Sequence, residues 1–294
     1  MSVNAAPIGV RVPRDVVRAS GPDARTFLQG QCTQDVASLA VGASAWAMVL
    51  EPSGRLVSFL RVTRTGEDDL LLDLDAGCAE QLVTRLQRFK LRTLCDLTPE
   101  EGWSLLAVRG PGADGVATPP GMLRVAASWP SGDAVDLLGV DPVLPAGVLE
   151  GSSDDLARLR IREGVPAMGA ELGEDTIPAE GGAWLMGVAV SFTKGCYTGQ
   201  ELVARVDARG SNTPHRLRRL RSVEGGFRAE HVGAALFVGD RAVGRVGTTV
   251  DGEPVALAVV HRSVEVGDLV RVDGGAAAGC TAVAEDAEPV RAAG

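Results

Sequence analysis

Aromatic residues are scarce in this chain: Phe, Trp and Tyr make up 4% of its 294 residues, and Tyr197 is the single tyrosine. The four tryptophans, Trp46, Trp103, Trp129 and Trp184, read as core residues rather than as a stacking platform. Cysteine is sparse as well. Cys32, Cys78, Cys95, Cys196 and Cys280 lie far apart, odd in number and with no C-x-x-C pair, which argues against a disulfide scaffold. The three histidines are dispersed, with no H-E-x-x-H motif. Neither a structural zinc site nor a self-contained iron–sulfur cluster is expected. No apolar run reaches the roughly 18 residues of a transmembrane helix. The opening MSVNAAPIGVRVPRD lacks the charged-then-apolar pattern of a secretory signal. A cytoplasmic protein with no membrane partner is expected. Positive charge is in deficit, with a net charge of -9, so direct nucleic-acid binding is not expected either.

What is present is the material of a core. The chain is 45% hydrophobic and 23% charged, and long enough for two or three domains. SGPDARTFLQG (20–30) reads as a short helix with Ser20 as N-cap and Gly30 past its end. SAWAMVL (44–50), LVSFLRV (56–62) and DLLLDL (69–74) read as strands, and 79–91 as a helix. Strands follow at 103–110 and 134–140, separated by a Gly/Pro/Ala-rich loop over 111–133. SSDDLARLRIREG (152–164) has a capped start and a glycine stop, so it reads as a helix. From about residue 213 the texture changes to short strands divided by Gly/Asp turns, which predicts a small β-barrel or sandwich. The final AEDAEPVRAAG reads as a frayed end.

One run belongs to neither texture. KGCYTGQE (194–201) holds a cysteine, the single tyrosine and two glycines just before a plausible helix. Thr198 and Glu201 form the T-x-x-E capping-box pattern, with Gly210 as the stop. Cys196 would then sit two residues before the N-cap, near the positive end of a helix dipole and beside Lys194. Both effects favour a thiolate. Gly195 and Gly199 would let backbone amides approach an anionic ligand. The same run also reads as a tight turn around a buried cysteine, and chemistry alone leaves both readings open.

K-G-C-Y-x-G-Q-E resembles the signature of the YgfZ family, folate-binding relatives of the glycine-cleavage T protein. The resemblance extends along most of the chain. GPDARTFLQGQCTQDV, LEPSGRLVSFLRV, RLQRFKLRTLCDL and RIREGVPAMGAELGEDTIPAE all look like segments of that family. It implies an α+β, three-lobed glycine-cleavage T protein-like fold with a C-terminal β-barrel. Residues 1–212 would form two intertwined α+β lobes and residues 213–294 the barrel. It implies tetrahydrofolate or a derivative as cofactor, and iron–sulfur client or assembly proteins as partners. Cys196 would be the functional thiol, tuned by Lys194. Tyr197, Gly199, Gln200, Glu201, Arg205, Arg162 and Glu163 would contact the cofactor.

The departures narrow the reading. T proteins carry paired aspartates where this chain has Val57 and Ser58, neither of which can serve as a carboxylate base. T proteins also have a pterin-contacting glutamate in an Arg-Ile/Leu-Glu-Ala-Gly helix. Here Arg160-Ile161 is followed by Arg162-Glu163, which moves the glutamate about 100° around a helix. The pattern is similar to mitochondrial iron–sulfur assembly relatives. The expected function is therefore folate-dependent support of iron–sulfur cluster assembly or repair in client enzymes, including tRNA-modifying ones. A one-carbon transferase and a non-catalytic adaptor with folate as a structural ligand are the alternatives. From Lys194 to Arg221 the chain is locally basic, at net +5. This could attract a folate glutamate tail or RNA, or be a solvated strand face. Cys32 reads as a packed thiol, and Asp35 as structural or pocket-lining.

Overall fold

The computed structural model describes residues 6–210, 212–274 and 279–287. Its contacts divide the chain into two compact units, residues 1–153 with 188–200, and residues 154–187 with 201–294.

The first unit contains β1 (Ile8–Ser20), α1 (Ala24–Gln31), β2 (Ser44–Leu50), β3 (Leu56–Arg64), β4 (Asp69–Asp75), α2 (Ala79–Phe89), β5 (Asp96–Glu100), β6 (Trp103–Arg109), β7 (Leu123–Val125), β8 (Ala134–Val140) and β9 (Leu149–Glu150). They form one nine-stranded sheet in the order β2-β3-β4-β1-β6-β8-β7, with β5 and β9 also on β1. β1 organises this sheet by changing partners. Ile8–Pro13 pair with β6, and Arg14–Ser20 pair with β4 and β5. Pro13 sits at the changeover, where the missing N–H is tolerated. α1 and α2 place Leu28, Leu82 and Leu86 against Val49, Leu60 and Leu72 of the sheet in a core closed to solvent.

Local chemistry departs from the sequence reading at α1. Ser20 is the last residue of β1, and the helix starts at Ala24. Asp23 precedes it but spends Oδ2 on the Leu94 N–H at 2.8 Å, so no side chain caps the helix. Gly30 lies inside the helix rather than beyond it. Within the predicted 111–133 loop, Leu123–Val125 pair with β8.

Charge is buried inside this sheet. Arg61 is fully buried and donates from Nε and Nη2 to both oxygens of Asp73 (3.0 and 2.9 Å) and from Nη1 to Asp136 at 2.7 Å. Arg109 reaches Asp136 at 2.7 Å, and Arg14 reaches Asp73 at 3.1 Å. Burial opposes the Arg61 charge, but Asp73 and Asp136 outweigh it and raise its pKa. Trp46, half-buried, stacks on Phe59 at 4.7 Å with the Arg61 guanidinium 4.8 Å from its ring, so it does stack, though on its own core.

The second unit contains α3 (Ser153–Glu163, from its second residue), most of α4 (Gly182–Ala189) and α5 (Gln200–Asp207, from Glu201). Its strands are β10 (His215–Ser222), β11 (Ala235–Val238), β12 (Arg241–Val246), β13 (Val255–His261), β14 (Leu269–Val272) and β15 (Cys280–Asp286). These close into a barrel in the order β10-β13-β12-β11-β14-β15. Its interior is apolar, built on Leu220, Phe227, Leu236, Val246, Val260 and Val270. Ile161 of α3 packs outside it with Leu217, Val250 and Leu257. Gly164 ends α3 at φ +68, where a Cβ would fall 1.8 Å from the Ala287 carbonyl. The α+β class and the C-terminal barrel hold; the last seven residues of the predicted frayed end lie outside the described residues.

Candidate functional site

KGCYTGQ lies in the first unit, and three anchors fix it there. The first is Lys194. Its ammonium donates to the carbonyls of Gln29 (2.6 Å), Cys32 (2.7 Å) and Gln34 (2.9 Å), at the C-terminal end of α1 and just beyond it. An ammonium has three N–H donors, and all three are used. Carbonyls at a helix C-terminus lack intrahelical donors, so the cation satisfies what the helix leaves open. Burial lowers the Lys194 pKa, while Cys32 and Asp35 act the other way.

The second anchor is Thr198. Its N–H donates to the Gly30 carbonyl at 3.0 Å, and its hydroxyl to Gln31 Oε1 at 3.4 Å. The T-x-x-E capping box is therefore not made. α5 begins at Gln200, and the Thr198 hydroxyl is turned to α1. The third anchor is Gly199, at φ +85. A Cβ there would lie 2.7 Å from the Glu51 carbonyl and 2.9 Å from Leu50 Cβ. Its need for glycine comes from the chain's own backbone packing. Gln200 Oε1 accepts the Tyr197 N–H at 3.2 Å. Tyr197 is half-buried, its ring centroid 5.2 Å from Lys194 Nζ, and burial pushes its phenol up to about 12.

Between these anchors stand Gly195 and Cys196, both exposed. Cys196 is the one exposed thiol of the five. Cys32, expected as a packed thiol, has no solvent exposure, and burial pushes it up to about 12 against the pull of Lys194 and Arg85. Burial also raises Cys78, Cys95 and Cys280. The positive charge expected beside Cys196 is committed elsewhere, because the Lys194 ammonium is bound to the α1 carbonyls. Asp35 accepts from Gln29 Nε2 at 3.0 Å, a bond that shapes the loop after α1.

The other predicted site residues belong to the second unit. Glu163 is buried at the end of α3, and the exposed Arg162 donates to it at 3.2 Å. Glu201 and Arg205 are exposed on α5, at a spacing that puts both on one face. The basic stretch beyond them is mostly paired. Arg221 meets Glu285 at 2.6 and 3.1 Å, Arg218 lies 3.7 Å from Asp286, and Arg219 donates to the Asp286 and Arg162 carbonyls. Of these, Arg221 is exposed on the strand face while Arg218 is largely buried. Arg216 and Trp184 line a pocket of about 350 Å3 within this unit.

Sequence reasoning passed over the platform under the cysteine loop. Arg85, 1% exposed, donates from Nε and Nη2 to the Leu50 carbonyl (3.1 and 2.7 Å) and from Nη1 to Gln31 Oε1 (3.1 Å). The available signal was QGQCTQD, with Gln29, Gln31 and Gln34 crowded at a helix end. Gln29 Oε1 accepts the Val36 and Ala37 N–H groups, and Gln34 Nε2 donates to the Val188 carbonyl.

Comparison with known proteins follows the same lines. The GCVT N-terminal domain model matches residues 15–120. The solved glycine cleavage system aminomethyltransferase T of Bartonella henselae superposes with a TM-score of 0.75 at 20% identity, covering 96% of this chain and 86% of that one. The fold is thus that of the glycine-cleavage T proteins. Among curated relatives is the tRNA-modifying protein YgfZ of Edwardsiella ictaluri, 29% identical over 218 residues, 67% of this chain and 65% of the relative. That of Klebsiella pneumoniae is 30% identical over 215 residues, 66% of this chain and 65% of the relative. The match spans about 65% of the length of these relatives. Over about two thirds of its length the chain is similar to the YgfZ proteins, and its N-terminal region matches the GCVT domain model.

Proposed function

We propose that this protein binds tetrahydrofolate or a derivative and supports the assembly or repair of iron–sulfur clusters in client enzymes, tRNA-modifying ones among them, with Cys196 as its working thiol. The observation that carries the reading is the presentation of that thiol. Four of five cysteines are buried or partly buried, while Cys196 stands exposed between anchored neighbours inside the family's signature run. The name that the YgfZ relatives carry supports a role connected to tRNA modification. The cluster is cargo, destined for the client.

The residues present suit a folate by type. A pterin's amino-pyrimidine edge calls for a carboxylate shielded from water; Glu163, in the second unit, is 7% exposed, though displaced around its helix and already accepting from Arg162. Tyr197 offers a half-buried aromatic face with a neutral phenol. In the first unit Gln200 offers a further polar group, and Gly199 fixes the backbone between Tyr197 and Gln200. Folate, when bound, supplies one-carbon or redox chemistry. The protein's part is to hold the thiol exposed and the aromatic face shielded. Lys194 fixes the start of the loop through the α1 carbonyls. Val57 and Ser58 are buried and carry no carboxylate, which disfavours aminomethyl transfer.

Calorimetry with reduced folates tests the ligand. Binding is expected, and ligand at about 100 times its Kd adds about 2.7 kcal/mol to stability. No heat and no thermal stabilisation would remove folate from the account. An aminomethyl-lipoyl donor should give no turnover; robust turnover would favour the transferase alternative.

A further inference from the structure

We propose that Gln31 and Arg85 are positioning residues for Cys196. The inference rests on the reading of Cys196 as the working thiol, but its evidence is geometric. Gln31 Oε1 is a shared acceptor. It takes Arg85 Nη1 at 3.1 Å from one side and the Thr198 hydroxyl at 3.4 Å from the other. The remaining Arg85 donors, Nε and Nη2, hold the Leu50 carbonyl at the end of β2. Leu50 and Glu51 are the residues against which Gly199 abuts. One guanidinium therefore ties together the end of β2, the end of α1 and, through Gln31, the loop that carries the thiol.

Burying this arginine is costly, which argues for a specific task. Burial lowers its pKa, and its carboxylate neighbour, Glu51, is 3.7 Å away and a third exposed. A core needing only volume would be served by Leu or Met, which carry no desolvation penalty. The guanidinium instead gives a rigid fork that addresses a backbone carbonyl and an amide oxygen together. The Lys194 clamp fixes the loop before Cys196, and the Arg85–Gln31–Thr198 chain fixes it after. With both in place the thiol stands on a three-residue span, Gly195–Tyr197, held at both ends. Removing one anchor lets the thiol sample directions that a reaction partner cannot use.

The test uses the full chain with Gln31→Leu, Gln31→Glu and Arg85→Met. Gln31→Glu keeps an acceptor for both donors; Gln31→Leu removes that shared acceptor, and Arg85→Met removes the donors to Gln31 and Leu50. The readouts are amide hydrogen exchange and the rate of iodoacetamide reaction at Cys196, neither of which needs a folate or a client. In Gln31→Leu, exchange at Thr198 is expected to quicken about tenfold through local opening, with a severalfold change in the alkylation rate and unchanged exchange in the barrel strands. Gln31→Glu should stay close to the parent protein. Unchanged Thr198 exchange and Cys196 alkylation in Gln31→Leu would overturn the proposal, and that variant decides the matter even where Arg85→Met does not fold. If the loop loosens in Gln31→Leu while client enzymes stay fully active in cells, the positioning stands and the reading of Cys196 as the working thiol falls.

Discussion

The sheet of the first unit and the barrel of the second use the same charged residue types in opposite ways. In the sheet, Arg61, Asp73 and Asp136 have no solvent exposure, and Arg61 is held by carboxylates from β4 and β8. In the barrel, the strands pack a cluster of apolar side chains such as Leu220, Val246 and Val260, and Arg221 and Glu285 pair on the outside, half and one-third exposed. The lesson is that the worth of an ion pair is set by the water around it. In water the attraction between two charges is weak, and both partners are nearly as well solvated apart. Inside the sheet a partner lost leaves its mate buried with nothing to replace it.

The largest expected effect breaks the sheet side of this contrast. Asp136→Ala leaves Arg109 without its carboxylate and Arg61 with Asp73 alone, and should cost about 3–5 kcal/mol in chemical denaturation. Acid provides the same test without a mutation. Burial alone would raise the Asp136 carboxyl, but Arg109 and Arg61 hold it below the ordinary value. A carboxyl lowered in the folded state stabilises fully above its unfolded pKa of about 3.9 and loses that contribution as pH falls through the folded value. Unfolding followed by fluorescence of Trp46, which touches Arg61, should therefore set in below about pH 4, and Asp136→Asn should flatten the dependence.

Lys194 is the intermediate case, a half-buried cation held by carbonyls rather than carboxylates. Lys194→Met should cost about 1.5–3 kcal/mol, the range for hydrogen bonds to a charged group. Lys194 is one of only two lysines in the chain, and Lys194→Arg should not restore the loss, because a planar fork cannot match three carbonyls converging on one nitrogen. At the weak end, Arg221→Ala on the barrel should cost less than about 1 kcal/mol and fade further with salt. Equal losses in Asp136→Ala and Arg221→Ala would dissolve the contrast.

The same contrast explains what could be read from the sequence. The barrel strands were legible because an apolar interior and a wet exterior leave a clean alternation broken by Gly/Asp turns. β1 was not legible: Arg14 is buried and Pro13 interrupts the ladder, so IGVRVPRDVVRAS lacks the pattern of a half-buried strand. DLLLDL read correctly as a strand, but nothing local marks Asp73 as the partner of an arginine twelve residues earlier. At the site, the run KGCYTGQE stood out from its residue types alone. Its geometry did not, because every anchor is distant in the chain. Lys194 reads as a charge for Cys196 until the α1 carbonyls are placed around it, and Thr198 reads as a helix cap until Gln31 lies beside it.

Cys196 closes the series with the smallest structural effect and the largest functional one. It is exposed and supports no packing, so Cys196→Ser should leave stability within about 0.5 kcal/mol of the parent protein. The measurement that tests the account most directly is complementation by this variant in a deletion strain, read as the activity of iron–sulfur client enzymes at matched protein levels. The account predicts that Cys196→Ser folds normally and leaves those enzymes as impaired as the deletion does. Full restoration of client activity by the serine variant would contradict it and make KGCYTGQE a structural turn.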